Sequence, residues 1–293
     1  MRALWLENQR LSLREVPEPA PRSGETVVRV LFAGICNTDL ELTRGYYPFA
    51  GIPGHEFVGE VDGKRVAGEI NAICGKCNAC LAGRTTHCEN RTVLGIKERD
   101  GAFAEYLVLP QENLHAIPDS ISTEEAVFIE PLAAALRIQE QVAITPKDRV
   151  LVIGHGKLGR LIARTLALTG CDLLIASRGD SVPERKFDIV VECSGNPEGF
   201  EIARKAVRPR GTIVMKSTYA GDLKVNASAL VVDEITLIGS RCGPFDKAID
   251  LLASRKINVS DMIDATYPLE KAITAFGHAQ RAGAMKVLVK CRP

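Results

Sequence analysis

Residues 74–88 read CGKCNACLAGRTTHC, four cysteines spaced C-x2-C-x2-C-x7-C. Thiols this close can pair as disulfides, bind a metal ion, hold an iron–sulfur cluster, or be neighbours without a role. The chain has nine cysteines, at 36, 74, 77, 80, 88, 171, 193, 242 and 291. An odd number without a secretion signal argues against a disulfide framework. In a reducing compartment clustered thiols more often bind metal, since C-x2-C turns offer two thiolates to one tetrahedral ion at about 2.3 Å. Iron–sulfur clusters also use closely spaced cysteines. The polar, loop-like stretch suits an exposed structural zinc on Cys74, Cys77, Cys80 and Cys88. His87 is surplus to such a set. Four thiolates leave no open position, so this ion would hold a loop and perform no chemistry.

A second group is GHGKLG, in which Gly154, Gly156 and Gly159 match G-x-G-x-x-G. Alone the motif is weak, but here it lies between a predicted strand, RVLVI, and a predicted helix from Leu158, the context that gives it meaning. Its glycines let the backbone turn tightly and approach a pyrophosphate resting on the helix N-terminus. His155 and Lys157, inside the loop, are further phosphate candidates, with solvated side chains as the alternative. The second strand ends in IASRGD. An acidic residue at its end would favour NAD. Ser177 and Arg178 stand there instead, and arginine offers a forked, charge-assisted contact to a 2′-phosphate. NADP is therefore the expected cofactor, with Asp180 keeping NAD possible.

A third group is split between two stretches. GICNTDLEL holds Cys36, Thr38 and Asp39, and GIPGHEFVGE holds His55 and Glu56. A cysteine, a histidine and a carboxylate from different loops can bind zinc with one position open, the arrangement of catalytic sites.

The surrounding elements fall into two halves. Residues 1–118 read as short strands broken by Gly and Pro, with a hairpin signal in VDGKR. From SISTEEAVFIEPLAAAL onward, a capping box (Ser122 to Glu125) opens a helical pattern that Pro131 should interrupt, placing Glu130 at a break between helices. Strand and helix then alternate, as in a parallel sheet covered on both faces. MKVLVK is a lone strand able to rejoin the β half. Hydrophobic residues make up 46%, charged residues 25%, and the net charge is +1, which gives no reason to expect nucleic acid or a membrane surface as partner. MRALWLENQR turns polar at once, and no apolar stretch approaches the roughly 20 residues that span a bilayer, so a cytoplasmic protein is expected.

Taken in order, GICNTDLEL, PGHEFVGEV, the four-cysteine lobe, EPLAAAL and VLVIGHGKLG resemble the zinc-dependent medium-chain dehydrogenases, in particular the branch of sorbitol, threonine and glucose dehydrogenases. The likeness extends over essentially the whole chain. It implies an α/β fold: a GroES-like β-rich catalytic domain (1–118, with the zinc lobe at 74–88), a Rossmann doubly wound parallel-sheet nucleotide domain (119–265), and a C-terminal return to the catalytic domain (266–293). It implies two zinc ions per chain, the catalytic one on Cys36, His55 and a glutamate, for which Glu56 and Glu130 both match. Asp39 would orient His55, and Thr38 would pass a proton towards solvent. The implied reaction moves a hydride between a secondary alcohol of a polyol, sugar or amino alcohol, or its ketone, and NAD(P). An inactive nucleotide-binding relative and a carbonyl or quinone reductase are the alternatives. The apolar strand EITLIGSR, as a sheet edge, implies a homodimer or homotetramer. Two departures stand out. Glu41 occupies the position where many relatives carry a relay histidine, and SRGDSVPERKFDIVVE runs almost directly between two strands, omitting a helix and a strand.

Overall fold

The computed structural model of the chain describes residues 1–218 and 221–292. It divides into two compact units, one comprising Met1–Glu130 with the segment from Phe245 onward, the other Pro131–Pro244.

In the first unit, alternation of apolar residues builds the main sheet. Along Glu25–Gly34, Val28, Val30 and Phe32 turn inward, as the two-residue period of a strand requires. Among the described residues the sheet has seven strands. Strands Glu56–Val61 and Lys64–Gly68 are joined by Asp62 and Gly63, with φ of 49° and 76°. Two successive left-handed residues make the tight turn that suits the strand twist, as the D-G pair predicts. The C-terminal strand Lys286–Lys290 pairs antiparallel with Glu25–Gly34 and parallel with Ile263–Pro268. The end of the chain is thus built into the β-rich unit.

The capping box forms. Ser122 Oγ accepts from the Glu125 N–H at 3.3 Å, and the Glu125 carboxylate accepts from the Ser122 N–H at 3.2 Å, opening the short helix Thr123–Ala126. Pro131 does not interrupt a helix, contrary to the expectation from its position. The interruption comes earlier, at residues 127–128, and Pro131 sits in the first turn of Ile129–Gln141, where its missing N–H would lack an intrahelical partner anyway.

The second unit is a parallel sheet in the order Asp172–Ala176, Arg149–Ile153, Phe187–Glu192, Val207–Met215, Thr236–Gly239. Leu151, Phe187, Val190 and Ile213 fill its core. Residues 177–186 form no strand or helix, so Asp172–Ala176 is an edge strand. Thr236–Gly239 forms the other edge, with Leu237 43% exposed and Val231 and Val232, in the preceding helix Ala227–Val232, 75% and 81% exposed. No helix of the described residues is long and apolar enough to cross a membrane.

Candidate active site and metal centres

The four lobe cysteines converge. Cys77 Sγ lies 3.5 Å from Cys80 Sγ and 3.8 Å from Cys88 Sγ, and Cys88 Sγ lies 3.5 Å from Cys74 Sγ. A tetrahedron with metal–sulfur bonds of about 2.3 Å places its sulfurs roughly 3.8 Å apart, so the spacing fits one ion. A multi-iron cluster would hold its cysteines on different irons, farther apart. Backbone N–H groups favour the thiolate form of two of these cysteines. That of Lys76 leads the group that lowers the Cys74 thiol to about 6, and that of Cys80 leads the lowering of Cys77. Burial and the neighbouring thiols push Cys80 up to about 12. Four thiols facing one another cannot all ionise without a cation among them, and a divalent ion supplies that charge. All nine cysteines are free.

Cys36, His55 and Glu56 form the second set, with donor atoms within 4.8 Å of one another. Strand register explains the meeting. Gly34 pairs with Glu56 across the antiparallel strands, and Cys36 follows two residues on, as N-cap of the helix Asn37–Leu42. A Cβ at Gly34 would stand 2.8 Å from Glu56 Oε2 and 2.7 Å from Val127 Cγ1, so only glycine leaves room for the carboxylate. Asp39 accepts from the Cys36 N–H at 2.8 Å through Oδ2, and its Oδ1 faces His55 Nδ1 at 3.3 Å. The second contact is an ion-pair approach, with the N–H not aligned on the oxygen. Burial by itself would lower the His55 imidazole; Asp39 and Cys36 outweigh it and hold the ring well above its usual pKa. A soft thiolate, an imidazole and a carboxylate converging in one place suit zinc. Thr38 Oγ1 lies 3.8 Å from Cys36 Sγ. Glu41 is paired with Arg44 at 2.6 Å. Glu130 stands in the first turn of Ile129–Gln141.

One further residue meets this site, Lys286. Its side chain is 2% exposed and its ammonium ion-pairs with Glu56, itself 1% exposed. Burial would lower this lysine, but Glu56 and Cys36 outweigh it and hold it above its usual value. Nothing in the pattern K-V-L-V-K marks the first lysine as interior.

In the nucleotide unit the three glycines have separate reasons. A Cβ at Gly159 would stand 1.8 Å from the Gly154 carbonyl oxygen, and Gly154 has φ of 107° with Cys193 O 2.7 Å from its hypothetical Cβ. A Cβ built on Gly156, the N-cap of helix Lys157–Ala167, would meet no atom within 4 Å beyond its chain neighbours, so that side of the backbone stays open where a pyrophosphate would rest. Lys157 and Leu158 are the first two residues of that helix, and His155 is exposed. After the second strand, Ser177 to Asp180 close a turn. Asp180 N–H donates to Ser177 O at 3.2 Å, and Gly179 has φ of 90°, as the third residue of a type II turn requires. The Asp180 carboxylate accepts from the Ser177 N–H at 2.7 Å, so it is engaged in the turn, while Arg178 is exposed at the second position.

Residues 22–119 match the alcohol dehydrogenase GroES-like domain and residues 151–254 the zinc-binding dehydrogenase domain. The chain is 28% identical to sorbitol dehydrogenase of Halalkalibacterium halodurans, over 95% of each chain, and 31% identical to L-threonine 3-dehydrogenase of Streptomyces coelicolor, over 99% of each. Among solved structures it resembles a zinc-binding dehydrogenase from Sinorhizobium meliloti 1021 bound to NADP (TM-score 0.88, 28% identity, 99% and 98% of the two chains). It also resembles the rspB alcohol dehydrogenase of Escherichia coli CFT073 complexed with NADH (TM-score 0.87, 25% identity, 99% of each). With one match on the β-rich unit, another on the parallel sheet, and relatives aligned end to end, the chain belongs to the zinc-dependent medium-chain dehydrogenase family.

Proposed function

We propose that the protein is a zinc-dependent, NADP-preferring dehydrogenase that oxidises a secondary alcohol of a polyol, sugar or amino alcohol, or reduces the matching ketone. The carrying observation is the Cys36, His55 and Glu56 cluster, which offers three protein donors and leaves a tetrahedral ion one position for substrate. When bound, zinc polarises the substrate oxygen and lowers its pKa, and the nicotinamide exchanges hydride with the carbon. The chain's own residues do the rest. Cys36, His55 and Glu56 fix the ion, with Glu130 as the alternative glutamate, and Asp39 orients the His55 ring. Thr38, beside Cys36, carries the proton towards solvent. The second ion belongs to Cys74, Cys77, Cys80 and Cys88, giving two per chain. Free thiols throughout agree with a cytoplasmic setting. Metal analysis of the purified protein, joined to NADP(H) and NAD(H) titration and a screen of polyols, amino alcohols and their ketones, tests this reading. One zinc in fully metallated, active protein would overturn it.

Preference for NADP rests on Arg178, which is exposed on the turn where Asp180 is already engaged. Arg178→Ala removes the charged partner of a 2′-phosphate and should weaken NADP about ten- to hundredfold, with NAD little changed. An unchanged NADP/NAD ratio of dissociation constants sinks the assignment.

Assembly through the strand Thr236–Gly239 is the companion proposal. This apolar strand has only Val207–Met215 as neighbour in the described sheet, and an unpaired apolar edge invites pairing. Two such edges about a two-fold axis make a dimer. Light scattering at micromolar concentration should show at least a dimer for wild type and a folded monomer for Leu237→Lys. A wild-type mass near 31.7 kDa would count against the proposal.

A further inference from the structure

Lys286 has no part in the reaction as described, yet it occupies a costly place. Removing an ammonium from water costs several kcal/mol unless a partner compensates. Its partner is Glu56 Oε2, and its other surroundings are the Phe128 ring, centroid 5.8 Å from Nζ, with Cys36 and Glu130 as the further charges acting on it. The fold alone does not call for a charge here. Methionine has similar length and would fill the same apolar path beside Gly34 and Phe128. The site is also crowded, since a Cβ at Gly34 would stand 3.1 Å from Lys286 Cδ as well as 2.8 Å from Glu56 Oε2. The two side chains are therefore pressed together against one strand, and their pairing is set by the register of Glu25–Gly34 between Glu56–Val61 and Lys286–Lys290.

One oxygen of the glutamate thus already has a resident cation. A divalent ion chelated by both oxygens would be driven against that ammonium, and like charges at such range repel strongly. We propose that Lys286 is a positioning residue that restricts Glu56 to donating through a single oxygen, keeping the carboxylate a weak, displaceable ligand and the fourth position open to substrate. The inference rests on the reading of Cys36, His55 and Glu56 as the catalytic metal site. Lys286 acts through Glu56 and touches neither substrate nor cofactor.

The test is cobalt substitution of the full-length protein with two readouts, the visible d–d spectrum and chelator competition for the metal. Difference spectra against Cys36→Ser separate this site from the four-cysteine lobe. In Lys286→Met the freed carboxylate should close on the ion with both oxygens. Metal affinity is then expected to rise about ten- to hundredfold, the range that ligand-supporting residues command. The d–d band should lose intensity as coordination rises from four towards five, and kcat should fall. Lys286→Arg, which keeps the cation, should retain the wild-type spectrum and affinity. A lysine of purely structural role would alter thermal stability and leave the cobalt spectrum and affinity where they were, and that result overturns the inference. If Lys286→Met does not fold, Lys286→Leu, which likewise removes both the charge and the donor to Glu56, takes its place with the same expectation. Failure of the underlying reading looks different: Cys36→Ser would then leave the cobalt spectrum of the wild type unchanged.

Discussion

Replacing Cys36 with serine lowers turnover by about three orders of magnitude or more while the protein stays folded. The thiolate is the soft donor among the three clustered groups, and a serine hydroxyl neither ionises at neutral pH nor matches the preference of zinc for sulfur. A metal acting as Lewis acid contributes several kcal/mol to transition-state stabilisation, and each ~1.4 kcal/mol is a factor of ten in rate. Losing that contribution gives a fall of about a thousandfold. The fold should survive, because serine is nearly isosteric and the Cys36 N–H keeps its bond to Asp39 at 2.8 Å. The checks are kcat, bound metal per chain, and circular dichroism on one preparation. A variant within tenfold of wild-type kcat would show that the ion at this cluster does no chemistry.

The lobe gives the opposite pattern, a large loss of stability with the catalytic metal retained. In Cys77→Ser the tetrahedral set loses the sulfur standing 3.5 Å from Cys80 and 3.8 Å from Cys88. Lobe residues 74–88 contain only the short helices Asn78–Leu81 and Thr85–His87, too small to hold a loop together by packing. Loss of a structural metal belongs to the few single changes that cost about 4 kcal/mol or more. For a domain of this size that is a fall in Tm on the order of 10 °C. Whatever remains folded should bind one metal fewer per chain and still turn over. Should Cys77→Ser melt with wild type, the lobe either carries no metal or needs none.

Much of this protein was legible along the chain because the signals are local. The C-x2-C-x2-C-x7-C spacing limits four thiols to a small volume whatever surrounds them, and the sulfurs meet as that spacing suggests. G-x-G-x-x-G between strand and helix is likewise a short-range pattern, and its three glycines each answer to a neighbour a few residues away or to open space. The capping box at Ser122 and Glu125 and the D-G turn at Asp62 and Gly63 are decided within four residues. The direct run from Ala176 to Phe187 was visible as missing chain.

Tertiary structure decided what depends on strand order. Glu56 and Glu130 both fitted the sequence, and the pairing of Gly34 with Glu56 is what sets the Glu56 carboxylate within 4.8 Å of the Cys36 and His55 donors. Pro131 looked like a helix breaker, yet its place in a first turn could be seen only once the turn at residues 127–128 had formed. Lys286 lies 230 residues from Glu56, and no local periodicity can announce that a lysine at the start of a terminal strand will be buried. The physical reason is that a strand's neighbours are chosen by burial of whole faces across the sheet, so the pairing energy is spread over distant segments. A carboxylate and an ammonium that meet in that way carry no mark of it in their own stretches of sequence.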